Sequence, residues 1–174
     1  MTNNLRNIPI RTALISVYHK EGLAPVIGEL ARAGAQLIAT GGTLEYIRSL
    51  VAGGTAVEDL TGYPSILGGR VKTLHPKIFG GILGRRDVPA DKADMEQWEI
   101  PPVDLVLVDL YPFNETVASG ASHADIIEKI DIGGISLIRA AAKNYRDVVV
   151  VADRSLYPEF LALLQSQQCH TTLS

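Results

Sequence analysis

The stretch Val103-Asp104-Leu105-Val106-Leu107-Val108, past the middle of this 174-residue chain, has the strongest signature of a buried strand in the sequence. Apolar residues fill it except at Asp104. A continuous apolar run is typical of a strand in a parallel sheet, because helices cover both faces of such a sheet. Residues 103–108 therefore predict a central strand of an α/β fold.

Shorter apolar runs on either side alternate with helical patterns. Strands are predicted at 13–17, 35–39, 55–60 and 148–151, and helices at 23–33, 43–51, 137–145 and 155–167. Ser122 and Asp125 open a further helix with a pattern like a capping box. The glycine- and proline-rich residues 61–84 predict a long ordered loop, and residues 87–98 a surface loop with some helix. This alternation predicts a doubly wound, mainly parallel sheet with helices on both faces and ligands at the carboxyl ends of its strands.

Composition limits the classes of function. The net charge of -3 argues against nucleic acid or an anionic membrane as the main partner, and no apolar run is long enough to span a bilayer. The N-terminal residues lack the apolar core of a signal peptide. The single cysteine, Cys169, has no internal disulfide partner and is predicted to be a bystander. The chain is therefore predicted to be a cytoplasmic protein. Its four histidines show no metal-ligand spacing, so no metal site is predicted.

Residues 68–77, Gly-Gly-Arg-Val-Lys-Thr-Leu-His-Pro-Lys, combine cations with flexible glycines. Glycines allow close approach of the backbone, and Arg70 and Lys72 supply charge and hydrogen-bond donors, as a pocket for an anionic small molecule requires. The continuation to Gly84 is predicted to be too rich in glycine for a stable helix. The alternative is a solvated basic loop with a turn at His75-Pro76.

A second candidate, Thr40-Gly41-Gly42-Thr43, lies between a predicted strand and a predicted helix. Exposed backbone N–H groups and the positive end of a helix dipole suit a phosphate monoester there. Lys20, after the neighbouring strand, is placed to contact the same anion. An ordinary strand–helix turn and a solvated lysine are the alternatives.

Three more side chains are candidates for chemistry. Tyr111 is placed to donate to a developing oxyanion or to pack over the sheet edge. Asp131 precedes Gly133-Gly134 and is placed to hold a ligand or to cap a helix. Lys143 ends a predicted helix, where a cation also complements the helix dipole.

Taken in order, S-V-x-x-K, T-G-G-T, G-G-R-V-K-T-L-H-P, L-Y-P-F, I-D-I-G-G and R-A-A-A-K-N closely resemble the inosine-monophosphate cyclohydrolase domain of the bifunctional purine-biosynthesis enzymes. The resemblance spans about residues 13–153. It implies a methylglyoxal-synthase-like fold, a homodimer, and an enzyme that needs no cofactor or metal. The reaction it implies is closure of 5-formamidoimidazole-4-carboxamide ribonucleotide to inosine monophosphate with loss of water.

The resemblance also implies a set of site residues. The expected catalytic residues are Lys72, Tyr111, Asp131 and Lys143. Lys20 and Thr40, Gly41, Gly42 and Thr43 are expected to bind the phosphate. The base end is expected near Arg70, Thr73, Ile132 and Gly133. Ser16, Tyr18, Val108 and Asp109, where two strands end, complete the predicted substrate-binding set.

The chemistry suits these side chains. Asp131 is expected to accept the amide proton, Lys72 and Tyr111 to stabilise the oxyanion, and Lys143 or Lys72 to protonate the departing water. Two departures from the usual pattern stand out. Tyr18-His19 replaces Ser-Asp in S-V-S-D-K, and Asp109 replaces Asn in N-L-Y-P-F.

Two other functions fit the same fold. A methylglyoxal synthase would share the phosphate turn without needing residues 70–76 or 130–134. A non-catalytic nucleotide sensor would keep the phosphate turn and have no use for the catalytic set. The expected organisation is one cyclohydrolase domain over residues 1–174, with a core at about 11–168 and no transformylase domain.

Overall fold

A five-stranded sheet forms the centre of the structure, a computed structural model that describes residues 7–166 and 170–172. The strands are, in chain order, β1 Asn7–Pro9, β2 Thr12–Val17, β3 Gln36–Ala39, β4 Thr55–Ala56, β5 Leu105–Asp109, β6 Val149–Val151 and β7 His170–Thr172. The central sheet has the order β4-β3-β2-β5-β6 and is parallel throughout. β1 and β7 form a separate antiparallel pair.

The strand order places a switch point between β2 and β5. The chain builds outward from β2 through β3 to β4, and then crosses back to add β5 and β6 on the other side of β2. Val17 lies opposite Asp109 where β2 and β5 end. The connections leave these two strand ends in opposite directions, which opens a crevice at the carboxyl edge of the sheet.

Helices cover both faces of the sheet, as predicted. They are α1 Leu23–Arg32, α2 Gly41–Leu50, α3 Val57–Thr61, α4 Pro76–Leu83, α5 Pro89–Gln97, α6 Phe113–Ala118, α7 His123–Glu128, α8 Gly133–Lys143 and α9 Tyr157–Ser166, with 3₁₀ turns at Leu67–Gly69 and Arg154–Leu156. One buried cluster joins the sheet to α1, α2 and α9. A second joins it to α3, α4 and α8. The doubly wound α/β fold is therefore confirmed.

The prediction that residues 76–84 are too glycine-rich for a helix is wrong, because α4 runs through them. Pro76 occupies the first turn, and Nδ1 of His75 accepts a hydrogen bond from the Lys77 N–H at 3.1 Å. A Cβ on Gly81 would lie only 2.5 Å from the Pro101 carbonyl oxygen. The glycines thus permit close packing that offsets their low helix propensity.

The strand predicted at 55–60 is also wrong beyond Ala56, since α3 takes over at Val57. Glu58 and Asp59 fall in the first turn of α3, where the helix dipole favours carboxylates, and Gly62 ends the helix in a left-handed conformation. Residues 89–97 form a helix, and the short α6 was not predicted. The predicted helix end at Gln167, as well as Cys169, lies outside the described residues.

Candidate active site

A pocket of about 420 Å³ opens at the carboxyl edge of the sheet, at the β2–β5 switch point. Five segments line it. They are the end of β2 with the turn after it, the amino end of α2, the glycine-rich residues 68–74, the end of β5 with Tyr111, and residues 127–134 between α7 and α8. The topology thus assembles side chains that lie far apart in sequence.

The amino end of α2 forms one wall of the pocket. Its N-cap residue, Thr40, makes no side-chain hydrogen bond to the first turn. Gly41 has a φ of 53°, which favours glycine, and a Cβ on Gly42 would meet nothing within 4 Å. The N–H groups of the first turn have no partner further back in the helix, and the helix dipole adds positive potential. This wall therefore suits a phosphate group.

The two threonine hydroxyls of this turn are used within the protein. Oγ1 of Thr43 donates to the Val17 carbonyl oxygen at 3.0 Å and accepts from the Val17 N–H at 3.3 Å. Oγ1 of Thr40 donates to Glu58 at 3.0 Å. Both hydroxyl protons are therefore used within the protein, where they fasten the turn to β2 and α3. The backbone N–H groups are what the turn offers an anion.

Lys20 reaches the same wall from the turn after β2. Its Nζ donates to the carbonyl oxygens of Val17 at 2.6 Å and Tyr18 at 3.0 Å. An ammonium has three protons, so one is left for the pocket. Burial lowers the pKa of Lys20, the positive charge of Lys72 lowers it further, and Asp109 and Glu21 oppose the shift. The charge of Lys72 is therefore near enough to act on Lys20.

The two departures from the usual family pattern contact each other. Oδ2 of Asp109 lies 2.7 Å from Nδ1 of His19 and accepts the His19 backbone N–H at 2.8 Å. This carboxylate lines the pocket and fastens the turn that bears Tyr18 and Lys20. His19 and Asp109 are thus one structural unit.

The glycine-rich segment brings Arg70, Lys72 and Thr73 to the lining of the pocket. Nε of Arg70 lies 3.6 Å from Oε2 of Glu128 across the pocket mouth, and both side chains are exposed. Thr73 is buried, and its Oγ1 would lie 2.9 Å from a Cβ on Gly133. A glycine at position 133 therefore lets this segment pack against the amino end of α8.

Asp131 is held at the floor of the pocket by two backbone groups. Its Oδ1 accepts from the Gly134 N–H at 2.5 Å, and its Oδ2 accepts from the Tyr111 N–H at 3.4 Å. A Cβ on Gly134 would lie 2.8 Å from both carboxylate oxygens. Asp131 therefore caps the first turn of α8, which is one of the two uses considered from the sequence, and it also lines the pocket.

Two tyrosines and a lysine form the remaining wall. The rings of Tyr18 and Tyr111 meet edge to face with centroids 5.5 Å apart. Nζ of Lys129 lies 4.9 Å from the Tyr18 centroid and 5.7 Å from that of Tyr111. Sequence reasoning did not select Lys129. The one sequence feature that could have indicated it is its position two residues before Asp131.

Most of the predicted site residues line this pocket. They are Ser16, Tyr18, Lys20, Thr40, Gly42, Thr43, Arg70, Lys72, Thr73, Asp109, Tyr111, Asp131, Ile132 and Gly133. Gly41 is adjacent in the phosphate turn, whereas the Val108 side chain is fully buried in the core.

Lys143 is not brought to this pocket. It ends α8, ten residues after Gly133, which corresponds to about 15 Å along the helix axis at 1.5 Å per residue. There it lines a second, smaller depression of about 180 Å³ with Arg85, Asp87 and residues 144–147. The expected convergence of Lys143 with Lys72 and Asp131 is therefore not met within one chain.

Two searches of the described residues bear on the site and its setting. Within 7–166 and 170–172, no group of three or more His, Cys, Asp or Glu side chains is placed to hold a metal ion. No helix in that part of the chain combines the length and apolar character needed to cross a membrane.

Comparisons with known proteins agree with the fold and the motifs. The Bifunctional purine biosynthesis protein PurH of Bacteroides thetaiotaomicron is 63% identical over 164 residues, which cover 94% of this chain and 32% of that protein. PurH of Myxococcus xanthus is 51% identical over 156 residues, covering 90% of this chain and 30% of that protein. The chain thus spans about a third of the length of the curated relatives it matches.

A solved structure and a family model extend the comparison. The crystal structure of ForH superposes with a TM-score of 0.72 at 34% sequence identity, covering 89% of this chain and 78% of that one. The sequence model of the MGS-like domain matches residues 22–136. The similarity to purine-biosynthesis proteins predicted from the motifs is confirmed, and the chain belongs to the MGS-like domain family.

Proposed function

We propose that this chain is an inosine-monophosphate cyclohydrolase, which closes 5-formamidoimidazole-4-carboxamide ribonucleotide to inosine monophosphate and releases water. The observation that supports this most is one pocket whose lining includes both the turn suited to a phosphate and Lys72, Tyr111 and Asp131. The named relatives are purine-biosynthesis proteins. The ligand is anionic and polar, which suits the donors and cations of the pocket walls.

The amino end of α2 and Lys20 bind the phosphate group of the substrate. The first-turn N–H groups of α2 and the free proton of Lys20 contact the phosphate oxygens. With the phosphate fixed there, the imidazole and its two substituents extend toward the wall formed by Lys72, Tyr111 and Asp131. Both reacting groups belong to one molecule, so positioning supplies a large part of the rate enhancement.

Asp131 acts as the general base. The carboxamide nitrogen of the substrate loses one proton to the carboxylate as its electron pair forms a bond to the formyl carbon. Each Asp131 oxygen already accepts one backbone N–H, which orients the carboxylate and leaves a lone pair on each oxygen. The formyl carbonyl becomes an alkoxide, toward which Tyr111 and Lys72 direct their donors.

Dehydration completes the ring. The alkoxide takes the proton held by Asp131 to become a hydroxyl, and a proton from Lys72 lets the C–O bond break as water leaves. The former formamido nitrogen then gives its proton to the neutral Lys72 amine and forms the double bond to the same carbon. Across the two steps one molecule of water is lost and nothing is oxidised or reduced. Lys143 takes no part in this sequence of steps within one chain.

The test is conversion of the formylated ribonucleotide, followed by the absorbance of the purine ring. We expect the purified chain to form inosine monophosphate with a chelator present and without folate. Asp131→Asn should lower kcat by roughly 10²-fold with little change in KM, as expected for loss of a general base. Lys20→Met should mainly raise KM.

Three results would refute the proposal. They are no conversion by the wild-type chain, near-wild-type kcat in Asp131→Asn, or release of methylglyoxal from dihydroxyacetone phosphate at a comparable rate. The resemblance also implies a cytoplasmic homodimer. Sedimentation of the purified chain tests the dimer.

A further inference from the structure

Lys129 is a pocket-lining cation to which the predicted mechanism gives no role. It follows the last residue of α7 and is half-buried against the ring faces of Tyr18 and Tyr111. The edge-to-face contact of the two rings braces that surface. The lysine stem and the ring faces therefore hold the ammonium at the pocket wall.

The charge of Lys129 is not neutralised by a neighbour. Between residues 7 and 166, its ammonium makes no ion pair within 4 Å and no hydrogen bond to another side chain or carbonyl. The two nearest carboxylates in sequence are already engaged, Glu128 by Arg70 and Asp131 by two backbone N–H groups. Ring faces attract an ammonium without accepting its protons as a carboxylate would, so its donors remain free for a ligand.

We propose that Lys129 is a further substrate-binding residue, which donates to an oxygen at the base end of the ligand, beside the hydroxyl of Tyr111. This inference rests on the proposed function, because it places the formyl or carboxamide oxygen of the substrate at that wall. An ammonium held beside a developing alkoxide stabilises it without a change in geometry during the reaction.

Lys129 places a second lysine at the base end of the pocket, which Lys143 does not do in this chain. The family resemblance implies a second lysine at the base end, but Lys143 lies at the far end of α8. Lys129 lies two residues before Asp131 on the pocket wall itself. Lys129 therefore adds a positive charge to the same segment that holds Asp131, the proposed general base.

Substitutions at position 129 separate charge from packing. Lys129→Met removes the charge but keeps a flexible side chain that packs well on aromatic rings. Lys129→Arg keeps the charge and also stacks on rings. Lys92→Met is the matched control, since Lys92 lies on α5 and does not line the pocket.

We expect Lys129→Met to lower kcat/KM for the formylated ribonucleotide by roughly 10- to 100-fold, the range for loss of one charged donor at a reacting oxygen. Lys129→Arg should retain most of the activity. Lys92→Met should match the wild type, and the Tm should be the same for all four proteins.

Three outcomes overturn the inference. Wild-type kcat/KM in Lys129→Met, with the wild-type chain active, removes Lys129 from the site and leaves the proposed function standing. Equal losses in Lys129→Met and Lys129→Arg together with a lowered Tm assign Lys129 a packing role only. An inactive wild-type chain overturns the proposed function and this inference with it.

Discussion

Reversing which of positions 19 and 109 carries the donor and which the acceptor tests whether His19 and Asp109 act as one unit. His19→Asp alone places two carboxylates in contact, since the native side-chain atoms are 2.7 Å apart. Asp109→Asn alone keeps an acceptor for the backbone N–H of residue 19 but removes the charge. In the double variant, the amide oxygen introduced at position 109 accepts that N–H, and the amide nitrogen donates to the carboxylate introduced at position 19. The double variant therefore restores both contacts with the polarity of the side-chain bond reversed.

The structure sets the expected magnitude. The side chains of His19 and Asp109 are only 19% and 10% exposed, so solvent screens their contact little. A charge-assisted hydrogen bond contributes about 1.5–3 kcal/mol to the free energy of unfolding. We expect His19→Asp to lose at least this much because repulsion is added, and Asp109→Asn to lose about 1 kcal/mol. The double variant should lie within about 1 kcal/mol of the wild type.

Urea denaturation at neutral pH measures the four free energies, and the slope m should be the same for all four proteins. KM for the substrate provides a second readout, because the pair fastens the turn that bears Lys20. We expect both single variants to raise KM and the double variant to restore it. Additive losses, with a coupling energy below about 0.5 kcal/mol, would show that His19 and Asp109 do not act as one unit.

Three further predictions concern particular contacts. Gly134→Ala should destabilise the fold by about 1–3 kcal/mol and lower kcat, because the added Cβ would lie 2.8 Å from both Asp131 oxygens. The control is Gly28→Ala in α1, where an added Cβ meets nothing within 4 Å and should be neutral or stabilising. A wild-type kcat and stability in Gly134→Ala would contradict this. Thr43→Ala should lower the free energy of unfolding by about 1–3 kcal/mol by leaving the Val17 N–H unpaired, although the Val17 carbonyl keeps its bond from Lys20, and Thr43→Ser should not; equal stabilities by urea denaturation would be the contrary result. Affinity for ribose 5-phosphate should fall as the pH rises through the pKa of Lys20, which burial places below 10.5, and Lys20→Arg should abolish this fall because arginine stays charged; calorimetric titration showing the same pH profile in both proteins would count against it.

The parallel fold is predictable from the sequence because its strands are continuous apolar runs. Residues 105–108 are buried on both faces, and the alternation with helices fixes the layers. α4 could not be predicted in the same way. Its two glycines disfavour a helix locally, and only contact with Ile100 and Pro101 explains them. Tertiary packing thus overrides local propensity there.

The candidate site is predictable to the extent that its residues follow strand ends or precede helices. Lys20, Asp131 and the turn before α2 meet at the pocket for that reason. Three other features depend on distances between elements. They are the hydrogen bond from the Thr43 hydroxyl to Val17, the His19–Asp109 contact and the position of Lys143 away from the pocket. A linear sequence does not contain those distances, and Lys129 was missed because no motif marks a lysine over two rings.

Amide NMR of the labelled chain during titration with inosine monophosphate shows which segments of the pocket contact each end of the ligand. We predict saturable binding in which the Gly42 and Thr43 N–H signals shift together with those of Gly133 and Gly134, which belong to two separate segments that line one pocket. Inosine, which lacks the phosphate, should leave the Gly42 and Thr43 signals in place. Shifts confined to the depression around Lys143, or equal shifts at the α2 turn with inosine, would contradict the account.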